Sequence, residues 1–300
     1  MLHLEFFGSR HYQTSPPGSK RPRLLLPYPA MRYLCALTIA LAACSSGSGD
    51  PAVIDDDGSL ESPWGRPPEN AGLDYQLGGG YSLPSGVGIV SRDRTDVPAA
   101  GAYNICYVNG FQVQPGEQVF WETEHPSLLL RDGGGDLVID EDWNEAILDT
   151  RGTTRQAELA SVVGEWIAGC ADAGFDAVEI DNLDTYTRSR SLLSEDDAVA
   201  TLRAFADAAH ARGLAIAQKN SSELASRRAE MSADFVVAEE CNRYDECDAY
   251  TDAYGFGVLI VEYRLQDFER GCAAYPGLSI VLRDRDLVPN GEPGYVFDDC

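Results

Sequence analysis

Asp181 and Glu239 each stand where a short apolar run ends, and a pair of carboxylates so placed can work on one bond from two sides. Cleavage by such a pair needs one carboxyl group protonated, to assist the leaving group, and the other ionised, as nucleophile or base. They belong to a larger pattern. The runs GVGIV (86–90), NICYV (104–108), EAIL (145–148), DAVEI (176–180), LAIA (214–217), DFVVA (234–238), GVLIV (257–261) and SIVL (279–282) recur along the chain. Reading just past them gives Asp93, Asn109, Asp149, Asp181, Lys219 with Asn220, Glu239, Glu262 and Asp284. One charge after a strand is the ordinary start of a solvated loop. A polar residue after nearly every strand predicts a polar, mostly acidic mouth, because barrel enzymes gather their working groups at the C-terminal strand ends.

Side chains alternate along a strand, so Glu179 shares a face with Asp181 but lies roughly 7 Å deeper. Asp181 is the better placed to meet substrate. Asn182 and Asp184 add hydrogen-bonding groups, and Tyr186 adds an aromatic platform. Phe235, Val237 and Glu239 share one face, which sends one of Glu239 and Glu240 inward and the other outward. The spacing leaves open which glutamate is catalytic, and which acid plays which role. Lys219 at a strand end has two readings: a Schiff-base lysine, or a cation that balances the surrounding acids. The number of acids favours the second. Only His125 and His210 follow residue 44, and no nucleophile-elbow motif accompanies a serine. Gly78–Gly80 and Gly133–Gly135 are not set between a strand and a helix, as a phosphate cradle would require.

The runs are brief, β-branched and not strictly alternating, as expected of parallel strands buried on both faces. Between them, 155–173 carries the stripe Leu159, Val162, Val163, Trp166, Ile167 and Cys170 and stops at Gly174. A second helix is expected over 195–212, with Ser194 and Asp197 as a capping box and Gly213 as its end. Segments 222–231 and 243–254 are further helix candidates, and 110–144 is irregular. Eight strands in a βα rhythm predict an α/β fold, a single (β/α)8 TIM-type barrel. The alternative, a doubly wound open sheet, has no nucleotide fingerprint to support it.

Residues 31–44, MRYLCALTIALAAC, have the layout of a bacterial secretory signal ending in a lipobox, with Cys44 as the lipidated residue. Residues 1–44 are thus read as an upstream extension plus signal peptide, 45–68 as a flexible acidic tether, and 69–300 as the barrel. The 300-residue chain has a formal charge of −25; residues 1–44 hold five basic residues and one acidic, which leaves −29 for the remainder. That charge argues against nucleic acid and would attract a cationic ligand. Six cysteines remain after Cys44: Cys106, Cys170, Cys241, Cys247, Cys272 and Cys300. An even number in an exported protein predicts disulfides, Cys241–Cys247 being a natural local pair. With no C-x-x-C pair and two histidines, no metal site and no cofactor are expected. The expected molecule is a monomer at the cell surface or outside it, touching membrane only through its lipid.

The segments ICYVNG (105–110), GFDAVEIDNLDTY (174–186), AHARGLAIAQKN (209–220), FVVAEECNRYDEC (235–247) and VLIVEY (258–263) together resemble glycoside hydrolase family 114. The match runs in order over residues 70–288. It implies a (β/α)8 barrel that hydrolyses galactosamine-containing polysaccharide, as an endo-α-1,4-polygalactosaminidase does, with two acids. The family's aspartate before Asn matches Asp181. Its glutamate in a Glu-Gln-Cys turn matches Glu239, with Glu240 in place of Gln. Asp149, Lys219, Asn220 and Glu262 match recurring polar positions. Arg283 stands where the resemblance leads one to expect a nearby lysine that contacts sugar. A partly de-acetylated galactosamine polymer would be cationic, which suits the acidic chain.

Overall fold

A computed structural model describes residues 64–300. The extension, the signal with Cys44, and residues 45–63 of the tether lie outside the described residues. Eight parallel strands form the barrel: β1 (Gly72–Tyr75), β2 (Val87–Asp93), β3 (Tyr103–Asn109), β4 (Ala177–Asp181), β5 (Ala215–Lys219), β6 (Phe235–Glu239), β7 (Val258–Glu262) and β8 (Ser279–Arg283). Each pairs with the next in sequence. The pleat sorts their apolar residues into two clusters. Ile89, Ile105, Ala217, Phe235, Val237, Leu259 and Val281 fill the barrel interior. Val108, Val178, Ile180, Ile216, Val236, Ile260 and Ile280 face outward into the layer that packs on the helices. Burial on both faces is why the strands read as unbroken apolar runs.

Helix α1 (Gly152–Ala173) buries Leu159, Val163, Ile167 and Cys170 and ends at Gly174, whose φ of 94° is left-handed. The Phe175 N–H then reaches back to the Cys170 carbonyl at 3.1 Å, capping the orphan carbonyls of the last turn. Helix α2 (Glu195–His210) begins with the Ser194–Asp197 capping box. Segment 222–231 is a 3-10 stretch followed by one α-turn, and 243–254 is broken, with its main helix at Cys247–Tyr254.

The strand count of eight survives an exchange. EAIL (145–148) is not a barrel strand: Glu145–Ala146 pairs antiparallel with Ile139–Asp140 in a short hairpin, while Ile147 and Leu148 bridge to Gln112 and Leu129. This run is apolar because it is buried in the loop layer over the barrel. The first barrel strand is instead GLDY (72–75), whose four residues include the buried Asp74 and present no apolar run.

No barrel ladder joins β1 to β8. A ninth strand, β9 (Phe297–Asp299), pairs antiparallel with β8 at this seam. Arg283 of β8 crosses it, donating from Nη1 to Asp74 Oδ1 at 3.0 Å and to the Tyr75 carbonyl. Three disulfides tie elements together: Cys106–Cys170 joins β3 to α1, Cys241–Cys247 closes the turn after β6, and Cys272–Cys300 anchors the C-terminus. The last two of these span 6 and 28 residues and the first spans 64, so Cys106–Cys170 restricts the unfolded chain most. Three bridges fit an exported protein.

Candidate active site

Asp181, Lys219 and Glu239 are the last residues of β4, β5 and β6, three neighbouring strands. Each is followed by a residue in the left-handed region: Asn182 (φ 67°), Asn220 (φ 49°) and Glu240 (φ 56°). That turn ends the pleat at once, so the last strand side chain keeps its inward aim while the backbone leaves the barrel. Asparagine tolerates the conformation well. Glutamate does so less readily, and Glu240 is held there by Arg243 and Arg285, each 2.6 Å from its Oε1. The same turn breaks the alternation expected of Glu239 and Glu240: both line the cleft, rather than one facing in and the other out.

The Lys219 ammonium is the hub. Its Nζ lies 3.2 Å from Glu179 Oε1, 3.2 Å from Asp181 Oδ1 and 3.0 Å from Glu239 Oε2, and donates to the Tyr75 hydroxyl at 3.1 Å. Every carboxylate has a further donor. Tyr107 donates to Asp181 Oδ2 at 2.6 Å, and Tyr263 donates to Glu239 Oε1. Asn220 grips Glu239 twice: its Nδ2 donates to Oε2 at 3.1 Å, and its Oδ1 accepts the Glu239 N–H at 2.8 Å. Glu179 is sealed beneath, taking hydrogen bonds from Tyr75 (2.5 Å) and Ser91 (2.8 Å). Asp181 and Glu239 keep side-chain exposures of 19% and 25%, whereas Glu179 has none, so only the first two can meet a ligand.

The electrostatics follow from this geometry. Burial would push the Asp181 carboxyl up, but Lys219, the Tyr107 hydroxyl and the Asn182 N–H outweigh it and hold Asp181 below the usual range. Burial likewise opposes the Lys219 charge, and the carboxylates of Asp181 and Glu239 overcome it, setting the lysine well above its ordinary value. Three ion pairs favour the ammonium over the neutral amine that a Schiff base needs, which suits the balancing-cation reading of Lys219. Burial raises Glu179 despite Lys219, Tyr75 and Ser91.

Above the cluster the cleft opens into two adjoining lobes of about 630 and 430 Å³. Both are lined by Asp181, Lys219, Asn220, Glu239 and Asp184, so the carboxylate pair sits at their junction. Ten acidic side chains face the lobes against three basic ones, Arg188, Lys219 and Arg285, so the cleft is strongly negative. Asp93, Asn109 and Asn182 line the smaller lobe. Asn109 is a hinge of the network there: Nδ2 donates to Glu145 Oε2 at 3.2 Å, and Oδ1 accepts from Asn182 at 3.0 Å.

Four expected site residues lie elsewhere. Asp149 follows the run that is not a barrel strand, and is bound by Arg151 and Arg155, each at 2.7 Å. Glu179 is floor rather than lining. Tyr186 turns its hydroxyl to Glu223 and lines neither lobe, so it is not the expected platform. Glu262 is fully buried behind the turn after β6, accepting the Asn242 N–H at 2.9 Å. Arg283 is spent on the seam. Residues that sequence reasoning missed are Tyr75, Tyr107 and Tyr263, the hydroxyls that hold the carboxylates, and Trp143 and Glu145 of the 139–146 hairpin. Tyr107 was legible, since it precedes Asn109 by two and shares its pleat face with Ile105 and Asn109. The hairpin residues carried no strand-end signal.

A model of the glycoside-hydrolase family GH114 matches residues 57–300. No curated protein sequence is similar enough to count as a match. Among solved structures, the fold is similar to that of Ega3 from Aspergillus fumigatus, crystallised in complex with galactosamine, with 21% identity and a TM-score of 0.64. That match covers 80% of this chain and 99% of Ega3. The glycoside hydrolase domain of PelA from Pseudomonas aeruginosa is similar at 14% identity and a TM-score of 0.50, over 74% of this chain and 97% of that domain.

Proposed function

This chain belongs to glycoside hydrolase family GH114 and is a glycosidase, and from that premise we propose that it cleaves an α-1,4-linked, galactosamine-containing polysaccharide internally, with Asp181 and Glu239 as the reacting pair. The observation that carries the reading is the pairing of both acids on one lysine at the junction of two lobes. A cleft that continues to both sides of the acids accommodates a chain running through it, as internal cleavage requires. Its excess of carboxylates suits a polymer whose free amines are protonated. The galactosamine held by Ega3 supports the same sugar class.

Asp181 is the nucleophile. It is kept ionised by Lys219 and Tyr107, and those donors also orient it without neutralising it. Glu239 is the acid that protonates the leaving oxygen and then, as carboxylate, takes the proton from the incoming water. The two oxygens that share Nζ are no more than roughly 6 Å apart, a proximity that suits the closely set carboxyl pair of a retaining enzyme. In the first step Asp181 Oδ attacks the anomeric carbon and the glycosidic oxygen departs with the Glu239 proton. In the second, water replaces the ester bond and Glu239 regains its proton. Retention of the α configuration follows. Lys219 supplies the countercharge that lets two acids lie so close. Export through the 31–44 signal and anchoring at Cys44 complete the proposal: an enzyme held at the cell surface and working, as a monomer, on extracellular polymer.

The test is reducing-end release from partly de-acetylated α-1,4-galactosamine polymer, with the first-formed anomer followed by NMR. Medium-length oligosaccharides with the α anomer formed first are expected. The substrate assignment fails if that polymer stays intact while another α-linked glycan is cut, and retention fails if the β anomer appears first.

A further inference from the structure

Four tryptophans punctuate the chain, and three have a packing role. Trp121 is fully buried, Trp64 stacks on His210 at 4.6 Å, and Trp166 lies under the Arg94 guanidinium at 4.2 Å. Trp143 has none of these. It is 69% exposed and joins none of the apolar clusters among the described residues. Leaving so large a ring in water forgoes burial that a folded chain would ordinarily collect. Its position is not arbitrary, for Trp143 lines both lobes of the cleft and so stands at their junction, beside the carboxylate pair.

The hairpin beneath the ring is firm. Ile139–Asp140 pairs with Glu145–Ala146, Asp140 accepts from Gln112 Nε2 at 2.8 Å and faces Arg188 at 2.6 Å, and Asn144 takes the left-handed turn at φ 57° that presents Trp143 outward. A firm base under an exposed ring is what a binding platform needs, since the backbone that carries the ring is already ordered when a ligand settles on it. The ligand chemistry follows from the ring. An indole face is apolar and carries negative quadrupole charge. A hexose with an axial 4-hydroxyl gathers the hydrogens of C3, C4 and C5 on one side and offers an apolar face of matching size. A protonated amine on the same sugar adds a cation near the ring.

We infer that Trp143 is a stacking platform for the galacto-configured sugar seated at the junction, which makes the 139–146 hairpin a specificity element of the cleft. This rests on the glycosidase reading above for its ligand class. Tyr186, the aromatic that the sequence pattern offered for that role, is turned to Glu223 instead.

The experiment is a fluorescence titration of the full chain carrying Glu239→Gln with galactosamine oligosaccharides, beside steady-state kinetics of Trp143→Ala and Trp143→Phe on the polymer. Binding should change the tryptophan emission of Glu239→Gln, and the change should vanish when Trp143→Phe is added while calorimetry still reports binding. Trp143→Ala should lose roughly tenfold in kcat/KM, mostly through KM, and Trp143→Phe should recover most of it. An alanine variant that binds and cuts as the wild type does overturns the platform while leaving hydrolysis intact. If the wild type cuts no galactosamine polymer but the oligosaccharides still quench Trp143, the platform stands and the hydrolysis reading falls.

Discussion

Lys219 and Arg283 are both enclosed cations at the ends of barrel strands, one 2% and the other 0% exposed. Their surroundings differ in one respect that separates a site from a strut. Arg283 meets one buried carboxylate, Asp74, at 3.0 Å and the more distant Asp284 at 3.7 Å, and spends its other donors on the carbonyls of Tyr75, Val288 and Val296. The charges of Arg283 and Asp74 cancel, and neither of these two is open to solvent. Lys219 meets three carboxylates, two of which face the cleft. Its cluster is short of positive charge, and the deficit lies on the side where a ligand arrives. A closed cluster fastens the seam; an acidic one open to the cleft can act on a ligand.

The contrast can be broken by substitution. Lys219→Met should lower kcat/KM by roughly a hundred- to a thousandfold, about 3–4 kcal/mol of barrier. The loss should be greater at pH 5 than at pH 7.5. Lys219 is what holds Asp181 below its ordinary value, so without it the Asp181 pKa rises and the acid limb of the pH–rate profile moves to higher pH. A profile that falls in height without shifting would detach Lys219 from Asp181. Arg283→Met should do the opposite: it leaves Asp74 buried and unpaired, at a cost of about 3–5 kcal/mol in unfolding free energy, with kcat of the folded protein nearly unchanged. A folded Arg283→Met enzyme that has lost its kcat would erase the distinction between the two clusters.

A smaller effect sharpens the picture of the cleft's acidity. Burial pushes the Glu145 carboxyl from 4.5 up to about 7, the Asn109 hydrogen bond offsetting only part of it. The folded chain therefore holds more protons than the unfolded chain between those values, and the group's contribution, present in full below about pH 4.5, is lost as pH rises through 7. Glu145→Gln removes that penalty. Its stability relative to wild type should improve by about 1–3 kcal/mol between pH 4.5 and pH 8, read from denaturant midpoints at each pH. A difference that stays flat across this window would mean that Glu145 is solvated as an ordinary carboxylate.

Much of the barrel was legible because its strands are buried on both faces and so spell short apolar runs, and because Gly174 and the Ser194–Asp197 box mark helix ends in plain residues. GLDY escaped for a physical reason: a four-residue strand whose third residue is the seam's buried aspartate has no apolar signature. EAIL misled for the converse reason, as buried loop segments are apolar too. At the site, Asp181, Lys219 and Glu239 were recognisable from their place after strands on adjacent staves. Alternation failed at Glu240, where a left-handed residue ends the pleat. The tyrosines that hold the carboxylates come from β1, β3 and the turn after β7, and nothing local to each one says where its hydroxyl will arrive. Trp143 was hidden in a loop, and loops carry no period to read.

The most direct measurement is kcat/KM on partly de-acetylated α-1,4-galactosamine polymer for the wild type, Asp181→Asn and Glu239→Gln, with the melting temperature of each recorded alongside. The account predicts cleavage by the wild type and a loss of roughly a thousandfold or more in each variant, about 4 kcal/mol of barrier, with melting points within a few degrees of one another. A variant at either position that still cuts the polymer within tenfold of the wild-type rate would contradict the assignment of that acid to the chemistry.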